Sequence, residues 1–371
     1  MKTTLSEVCT ITMGQAPVGD SYNDRGEGLP LIAGAGDFDG LRISPKKFTT
    51  APGKISAAGD IVLSIRASIG AKVWADGEYC LGRGVAGLRP KTELDSNYLW
   101  HWLAHAEPTL AAKGRGATFL QVNRRDIGEL DLELPSVHEQ RRIAMILDQA
   151  DAIRIKRRQI LTHLDTLTQS IFHDMFGKAG AESAPLADIA EIWDCPHSTP
   201  KWSEDGEICL RTPNLIRGGW NWDDTRYVDE VQFAKRSKGG GAEPGDIILS
   251  REGTVGIAAV VESGMRVCMG QRLVQVRPDL GVVHPEYLLE FLLTALDPAR
   301  IAHVMVGSTA QHLNVKDLRA LAVPVASLES QRHFATQKSA VDRRRSAVQR
   351  ALVADDELFA SLQFHAFKGE L

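Results

Sequence analysis

The amino-acid sequence predicts an α+β protein with an internal pseudo-twofold repeat, in which two similar globular modules of mixed α/β structure are separated by two long antiparallel coiled-coil helices. Three observations lead to this prediction. The chain of 371 residues is written twice, each copy opens with short apolar runs between glycines and prolines, and each copy closes with a long segment free of both. A repeat of this kind fixes the architecture before any single motif does.

The repeat is clearest at a glycine–aspartate motif. The segments GDIVLSIRASIG at 59–70 and GDIILSREGTVG at 245–256 share six of twelve residues at an offset of 186. Further matches follow in the same order, and the offset settles at 191 across residues 140–176 and 331–367 without a gap. Differences in length therefore lie in the modules, whereas the closing segments are matched residue for residue.

Short apolar runs bounded by turn residues predict strands within each module. Strands are expected at Asp60–Ile65 and Asp246–Ser250, and helices at Tyr98–Ala106 and Tyr287–Leu296. The predicted boundaries are 1–135 for the first module, 136–178 for the first long helix, 184–324 for the second module and 325–371 for the second long helix.

The closing segments predict helices of unusual length that pack on each other. In the first, apolar residues follow the 3,4 spacing of a coiled-coil seam, with Arg157 as an interruption. The seam residues are Ile143, Ile146, Ala150, Ile153, Ile160, Leu164, Leu167 and Ile171. The second helix carries a looser stripe at Phe334, Val341, Val348, Leu352, Leu358 and Leu362. A lone helix would expose such a stripe, so we expect antiparallel pairing, with each helix extending about 55 Å or more at 1.5 Å per residue.

Composition excludes several classes of protein. No apolar run is long enough for a membrane span, and the amino terminus lacks a secretory signal, so a cytoplasmic location is expected. The five cysteines are widely spread without a CxxC pair, which favours buried free thiols over a disulfide framework. The net charge of −4 does not indicate a nucleic-acid binder, although basic runs occur at 141–158 and 343–345.

Motifs for catalysis are missing. The sequence has no GxxxxGK[ST] phosphate loop, no GxGxxG, no Asn-Pro-Pro-Tyr methyltransferase motif and no GxSxG elbow, and no lysine has an acidic residue two positions before it. His101 and His105 are spaced for a zinc site but lack the glutamate of HExxH, and Cys195, His197 and Cys209 lack a fourth ligand at a normal spacing. The sequence therefore predicts no catalytic residue, no cofactor site and no metal site.

The doubled layout resembles the specificity subunits of type I restriction–modification systems. The two glycine–aspartate segments look like the strand and turn found once in each target-recognition domain of that family. GATFLQVNRRDIGELDLELPSVHEQRRI at 116–143 and GSTAQHLNVKDLRALAVPVASLESQRHF at 307–334 look like the junctions into its spacer helices. The ending SLQFHAFKGEL is also similar to the family's carboxyl end. The resemblance covers essentially the whole chain.

This resemblance implies a non-catalytic subunit that recognises a bipartite, asymmetric site in double-stranded DNA with a fixed gap. It implies that two methyltransferase subunits bind to the central helices, and that two motor-nuclease subunits join the larger assembly. S-adenosylmethionine and ATP would be bound by those partners. Two modules on a rigid rod would each contact a short block of bases through the major groove, and the helices would set the gap.

Side chains that hydrogen-bond to base edges are expected on loops at the ends of the module strands. The candidates in the first module are Arg66, Ser68, Arg83, Arg115, Thr118, Gln121 and Arg124. The candidates in the second module are Arg211, Asn214, Arg251, Thr254, Arg272, Thr309 and Gln311. For any one of them a phosphate contact or a plain surface role is expected more often than base recognition, because most protein–DNA hydrogen bonds go to the backbone. Trp202, Trp220 and Trp222 are expected in the core rather than stacked on bases.

Two other functions are compatible with parts of the sequence. One is a self-sufficient DNA methyltransferase or nuclease with a fused recognition domain, against which the missing motifs argue. The other is a coiled-coil adaptor that binds protein and no DNA, and composition alone does not exclude it.

Overall fold

The computed structural model describes residues 2–40, 42–177, 182–237, 241–297 and 312–371. The chain forms two compact units, one made of residues 1–158 with 350–371 and the other of residues 159–349. Each unit thus contains one module, the first part of one long helix and the last part of the other. The predicted α+β fold with a doubled module is confirmed.

The long helices dominate the helical content, and each copy of the repeat otherwise contributes a similar set of shorter ones. The helices are α1 (Leu5–Val8), α2 (Ser96–Ala112), α3 (Arg124–Gly128), α4 (Val137–Phe176), α5 (Leu186–Ile189), α6 (Glu230–Arg236), α7 (Pro285–Ala295), α8 (Val315–Arg319) and α9 (Leu328–Lys368). The two helices expected inside the modules correspond to α2 and α7, and the two long ones to α4 and α9.

The first module is built on two small sheets. Its strands are β1 (Lys2–Thr4), β2 (Cys9–Met13), β3 (Tyr22–Asn23), β4 (Leu29–Ile32), β5 (Phe38–Asp39), β6 (Arg42–Ile43), β7 (Lys47–Thr49), β8 (Ile61–Ser64), β9 (Lys72–Trp74), β10 (Cys80–Leu81), β11 (Val85–Pro90) and β12 (Asp131–Glu133). The central antiparallel sheet has the order β2-β11-β8-β9, and a second sheet has the order β10-β4-β7-β3. The first and last strands of the module, β1 and β12, pair with each other.

The second module repeats this topology. Its strands are β13 (Ser183–Pro185), β14 (Ala190–Asp194), β15 (Glu207–Leu210), β16 (Leu215–Ile216), β17 (Gly219–Trp220), β18 (Tyr227–Val228), β19 (Ile247–Ser250), β20 (Ala258–Val260), β21 (Val267–Met269), β22 (Leu273–Pro278) and β23 (Ala322–Pro324). Its central sheet is β14-β22-β19-β20, its second sheet is β18-β15-β21, and β13 pairs with β23. Helix α6 follows β18 in this module.

The repeated apolar strand is buried on both faces, which explains why it lacks alternation. Ile61 and Leu63 face a core shared with α2 and α4, whereas Val62 faces a second core that contains Ile32 and Val85. The same alternation in β19 divides its residues between two cores. At the start of each strand the motif aspartate, buried in both copies, binds an arginine from the neighbouring strand: Asp60 with Arg89 and Asp246 with Arg277.

A buried glutamine at the start of each long helix fastens that helix to its module. The Gln140 amide oxygen accepts from the backbone N–H of Asp95, which caps α2, and its amide nitrogen donates to the carbonyls of Glu93 and Pro135, at 2.7–2.9 Å. Gln331 makes the same three bonds to the cap of α7 and to the carbonyls on either side. Both side chains are fully buried. The buried amide thus supplies hydrogen-bond partners to three backbone groups of its module.

Each unit also shows that the two long helices run antiparallel. In the first unit, Phe367 near the end of α9 lies in the same core as Ile143 near the start of α4. In the second unit, Phe172 near the end of α4 packs edge-on against Phe334 near the start of α9, with ring centroids 5.3 Å apart. The start of one helix therefore lies beside the end of the other in both units, as predicted.

The predicted seam of α4 is wrong at three positions. Ile153, Ile160 and Leu167 are 49%, 43% and 41% exposed, whereas the next residue in each case is less exposed. At Ile153 the physical reason is an ion-pair layer in which Arg154 bonds to Asp356 at 2.6 Å. An arginine stem with a paired head occupies a seam position that the sequence pattern assigned to an isoleucine. In α9, Leu358 is likewise exposed.

The ion-pair layer itself follows the repeat. Arg345 contacts Asp165 at 3.0 Å within the second unit. Arg345 corresponds to Arg154 and Asp356 corresponds to Asp165, both at the repeat offset of 191. Each of these arginines also contacts the aspartate three positions before it on its own helix. The pseudo-twofold repeat therefore extends to polar contacts between the helices.

We expect Gln140→Leu to lower the free energy of unfolding by about 3 kcal/mol, because three hydrogen bonds of a fully buried amide are lost, each worth about 1 kcal/mol. Urea denaturation followed by circular dichroism measures this change. Gln149→Leu is the matched control, since Gln149 is exposed on the same helix, and we expect a change within about 0.5 kcal/mol. Equal losses in the two variants would contradict the role of the buried amide.

Candidate nucleic-acid interface

Four segments of the first module meet at one end of its central sheet. We call them the first loop cluster: residues 33–36, 65–70, 82–84 and 114–122. Backbone hydrogen bonds join them, since the Ile65 N–H donates to the Gly84 carbonyl and its own carbonyl accepts from Val122, both at 3.0 Å. The Ala67 N–H donates to the Leu120 carbonyl at 3.0 Å. The hairpin between β8 and β9 is therefore held from two sides by backbone hydrogen bonds.

Glycine makes this close approach possible. A Cβ atom on Gly84 would lie 2.1 Å from the Ala33 carbonyl oxygen, which no side chain tolerates. The segments enclose an open depression of about 390 Å³. Its lining consists of small residues, one basic and one aromatic residue: Ala33, Gly34, Ala35, Gly36, Arg66, Ala67, Ser68, Gly84 and Phe119.

The structure brings most first-module candidates to this cluster. Backbone bridges join Arg66 to Gln121 and Gln121 to Arg115. The Arg66 guanidinium lies 5.5 Å from the ring centroid of Phe119, which is itself 55% exposed. The side chain of Arg115 is 70% exposed and contacts Asp126 at 3.1 Å. The remaining candidates are exposed in or beside the cluster: Ser68, Arg83, Thr118, Gln121 and Arg124.

The second module has an equivalent second loop cluster, formed by residues 211–214, 251–256, 270–272 and 312–313. The Arg251 N–H donates to the Arg272 carbonyl at 3.0 Å, and the Arg251 carbonyl accepts from Leu313 at 2.8 Å. These bonds match those of Ile65 in the first cluster. The candidates Thr309 and Gln311 lie outside the described residues, which resume at 312.

Three second-module candidates, Asn214, Arg251 and Arg211, contact other residues of the protein. Asn214 is 1% exposed, and its amide bonds to the backbone of Arg211, Asn221 and Asp224. Arg251 is 8% exposed and contacts Asp194 at 3.0 Å. This geometry favours structural roles for Asn214 and Arg251, although their contacts with DNA stay predictions.

Arg211 contacts the Asp224 carboxylate at 2.7 Å. Its hydrogen bond to the carboxylate lowers the pKa of Asp224 below the usual value. In contrast, Thr254 and Arg272 are exposed, as the candidates of a binding loop need to be. The second cluster therefore offers fewer of the predicted side chains to a ligand than the first.

Backbone strain is concentrated in the two clusters. Among the described residues, the non-glycine residues with a left-handed backbone are Ala67 at φ +61° and Arg272 at φ +67°. One lies in each cluster. Such conformations cost a non-glycine residue about 1 kcal/mol or more, and they persist where the surroundings fix the backbone. The Arg272 side chain, 62% exposed, is thereby presented to solvent from a fixed position.

Two residues of the loop clusters were not among the predicted candidates. Phe119 lies on the first cluster, and Glu252 occupies the hairpin of the second; the repeat itself aligns Glu252 with Arg66 at offset 186. The expectation that Trp202 and Trp222 lie in the core is wrong, because they are 37% and 42% exposed. Trp222 stacks on half-buried Trp220, and Trp202 lies beside two arginine guanidiniums.

The residues considered for metal binding have other partners. The Nε2 atom of His101 lies 2.7 Å from Asp148, and the His105 ring packs 5.1 Å from that of Phe367. All five cysteines are buried and free, as predicted. Within the described ranges, no cluster of three or more metal-ligating side chains occurs. None of the described helices combines the length and apolar character that a membrane span requires.

Comparison with known proteins links the chain to one family. Residues 1–165 match the type I restriction modification DNA specificity domain. The MjaX type I restriction enzyme specificity subunit of Methanocaldococcus jannaschii is 34% identical over 151 residues, which are 40% of this chain. The match spans only 36% of that protein.

Two further proteins match along nearly the full chain. The EcoBI type I restriction enzyme specificity subunit of Escherichia coli is 21% identical over 100% of this chain and 86% of its own length. The crystal structure of a type I restriction–modification S subunit from M. genitalium has a TM-score of 0.60 at 17% identity, covering 99% of this chain and 96% of that one. At this identity, the structural likeness concerns the fold.

We expect Gly84→Ala to lower the free energy of unfolding by about 1–3 kcal/mol, because the new methyl group displaces residues 82–84 from 33–36. Gly36→Ala is the control in the same depression, since its Cβ would meet no atom within 4 Å and its backbone is not left-handed. Thermal or urea unfolding of both variants measures the difference. If the two glycines prove equally tolerant, the close backbone approach does not hold the cluster together.

Proposed function

We propose that this chain is a specificity subunit of a type I restriction–modification system, which recognises a bipartite, asymmetric sequence in double-stranded DNA and directs partner subunits to that sequence. The observation that supports this proposal is the presence of equivalent loop clusters in the two modules. Each module presents the same backbone arrangement, whereas the side chains on it differ between the two modules.

A rigid backbone with variable polar side chains suits base recognition. Arg, Gln and Thr side chains bond to base edges in the major groove, and their preferences differ from base to base. Arg66, Gln121 and Thr118 lie in the first cluster, and Thr254 and Arg272 lie in the second. Since the two sets are not the same, the two half-sites they recognise are expected to differ in sequence.

The gap between half-sites is attributed to the long helices. Helix α4 has 40 residues and α9 has 41, and each contributes to both units. An unbroken α-helix is stiff over such a length, about 60 Å at 1.5 Å per residue. A fixed number of unread base pairs between the half-sites follows from this proposal.

Methylation and cleavage are assigned to partners in the proposal, namely two methyltransferase subunits and, in the full assembly, motor-nuclease subunits. These partners would bind S-adenosylmethionine and ATP, and this chain would do no chemistry. Because the proposed substrate is double-stranded DNA inside the cell, the proposal includes a cytoplasmic location.

The exposed side of α4 is a suitable surface for such a partner. Ile160 and Leu167 lie seven residues apart, and so nearly in line along the helix. They are 43% and 41% exposed in the isolated chain. Burial of apolar surface of this kind contributes about 25 cal/mol per Å² to association. We therefore propose that a methyltransferase subunit covers Ile160 and Leu167.

A reconstitution experiment tests the proposed function. The chain, the methyltransferase subunit of the same restriction–modification system and S-adenosylmethionine are incubated with randomised duplex DNA, and methylated positions are mapped by sequencing. We expect methylation only when both proteins are present, and only within a two-part sequence with a constant gap. Turnover by the chain alone that is lost on mutating one of its own residues, or methylation without sequence preference, would refute the proposal.

A second experiment tests the partner surface. Ile160→Glu places a charge in the proposed interface, and we expect it to weaken binding of the methyltransferase subunit at least tenfold without loss of folding. Gln159→Glu adds the same charge at an exposed position about 100° around the helix and is the matched control. Isothermal titration calorimetry measures both affinities. A similar loss in the two variants, or in neither, would show that this face of α4 is not covered.

A further inference from the structure

One position in the two loop clusters carries side chains of opposite charge on equivalent backbone. Arg66 in the first hairpin and Glu252 in the second follow a serine by two residues, and the Oγ atoms of Ser64 and Ser250 each donate to the carbonyl of that position at 3.3 Å. Backbone bridges join Arg66 to Gln121 and Glu252 to His312. The hairpins therefore differ at this position in the side chain and hardly in the backbone.

The residues around this position confirm that the two hairpins correspond. In both, the next residue has a left-handed backbone, Ala67 in one and Gly253 at φ +78° in the other. The glycine that closes each turn donates to the serine carbonyl at 3.0 Å, from Gly70 to Ser64 and from Gly256 to Ser250. The side chain at the 66/252 position thus lies at the tip of a hairpin whose backbone is fixed by hydrogen bonds.

The Glu252 carboxylate lies between two arginines. One oxygen is 3.3 Å from Arg251 and the other is 3.7 Å from Arg272. Charge-assisted hydrogen bonds are shorter than this, about 2.7–2.9 Å. The side chain is 34% exposed. The arginines therefore offset the negative charge of Glu252 while leaving its oxygens open to a closer donor.

An acidic side chain is unexpected on a DNA-facing loop, because phosphates repel it. A carboxylate nevertheless has one specific use in the major groove, where it accepts a hydrogen bond from the exocyclic N4 amine of cytosine. Arginine has the complementary use, since it donates to O6 and N7 of guanine. Neighbouring arginines allow the carboxylate to enter the groove without a net negative charge.

We propose that the 66/252 position determines one base pair in each half-site, with Arg66 selecting guanine in the first half and Glu252 selecting cytosine in the second. This inference rests on the proposed function and names residues within it. It assigns a base-recognition role to an acidic residue. It also accounts for asymmetry between the half-sites by a single charge reversal.

Selection from randomised duplex DNA tests the assignment. The full chain, bound to its methyltransferase subunit, is used to enrich duplexes, and the enriched sequences of the wild type and Glu252→Gln are compared. We expect one position of the second half-site to lose its cytosine preference by about fivefold or more, since a specific base contact is worth about 1 kcal/mol at least. All other positions should keep their preference. Arg66→Gln should relax one guanine in the other half-site.

Two more variants make the outcome decisive. Glu252→Asp keeps the charge and shortens the side chain, so it should relax the same position even if the glutamine variant folds poorly. Glu262→Gln removes an exposed carboxylate at the far end of β20 and should leave the selected sequence unchanged.

The possible failures are distinguishable. A wild-type complex that enriches no sequence would overturn the proposed function and this inference with it. An unchanged sequence preference in folded Glu252→Gln and Glu252→Asp complexes would overturn the inference alone. The same conclusion would follow if both variants bound all duplexes more weakly with the same preference, because Glu252 would then only orient Arg272.

Discussion

The buried glutamine at the start of each long helix is the contact on which the rest of the structure depends. Gln140 and Gln331 each bond to the cap of a module helix and to two carbonyls, so that module and long helix are joined at one rigid point. Loss of such an amide removes three hydrogen bonds from this joint, each worth about 1 kcal/mol. The orientation of each loop cluster relative to its own helix is therefore set inside the module.

Much of the fold follows from the sequence because the repeat supplies independent evidence for each element. The doubled strands, the module helices and the long helices all appear as predicted. The seam of α4 differs from the prediction at Ile153. Periodicity counts only apolar residues and does not indicate that the Arg154 guanidinium is neutralised by Asp356, which is distant in the sequence. The exposure of Trp222 was missed for a similar reason, since Trp220 shields only one face of its ring.

The candidate site was predictable in outline only. Residue type and loop position indicated Arg66 and Gln121, and the structure joins these two residues by a backbone bridge; their contacts with DNA stay predictions. Residue type and loop position do not distinguish Thr254, which is exposed, from Asn214, whose amide is hydrogen-bonded to the backbone of its own loop. That distinction depends on contacts across the fold. A preference for basic residues also hid Glu252, although the repeat places it opposite an arginine.

Both junctions of each module lie on a single two-stranded ribbon. Lys2 pairs with Glu133 in the first module, and Ser183 pairs with Pro324 in the second. The first and last strands of each module therefore lie side by side. The residues between these strands can thus be replaced as one block while the sequence of the long helices stays unchanged.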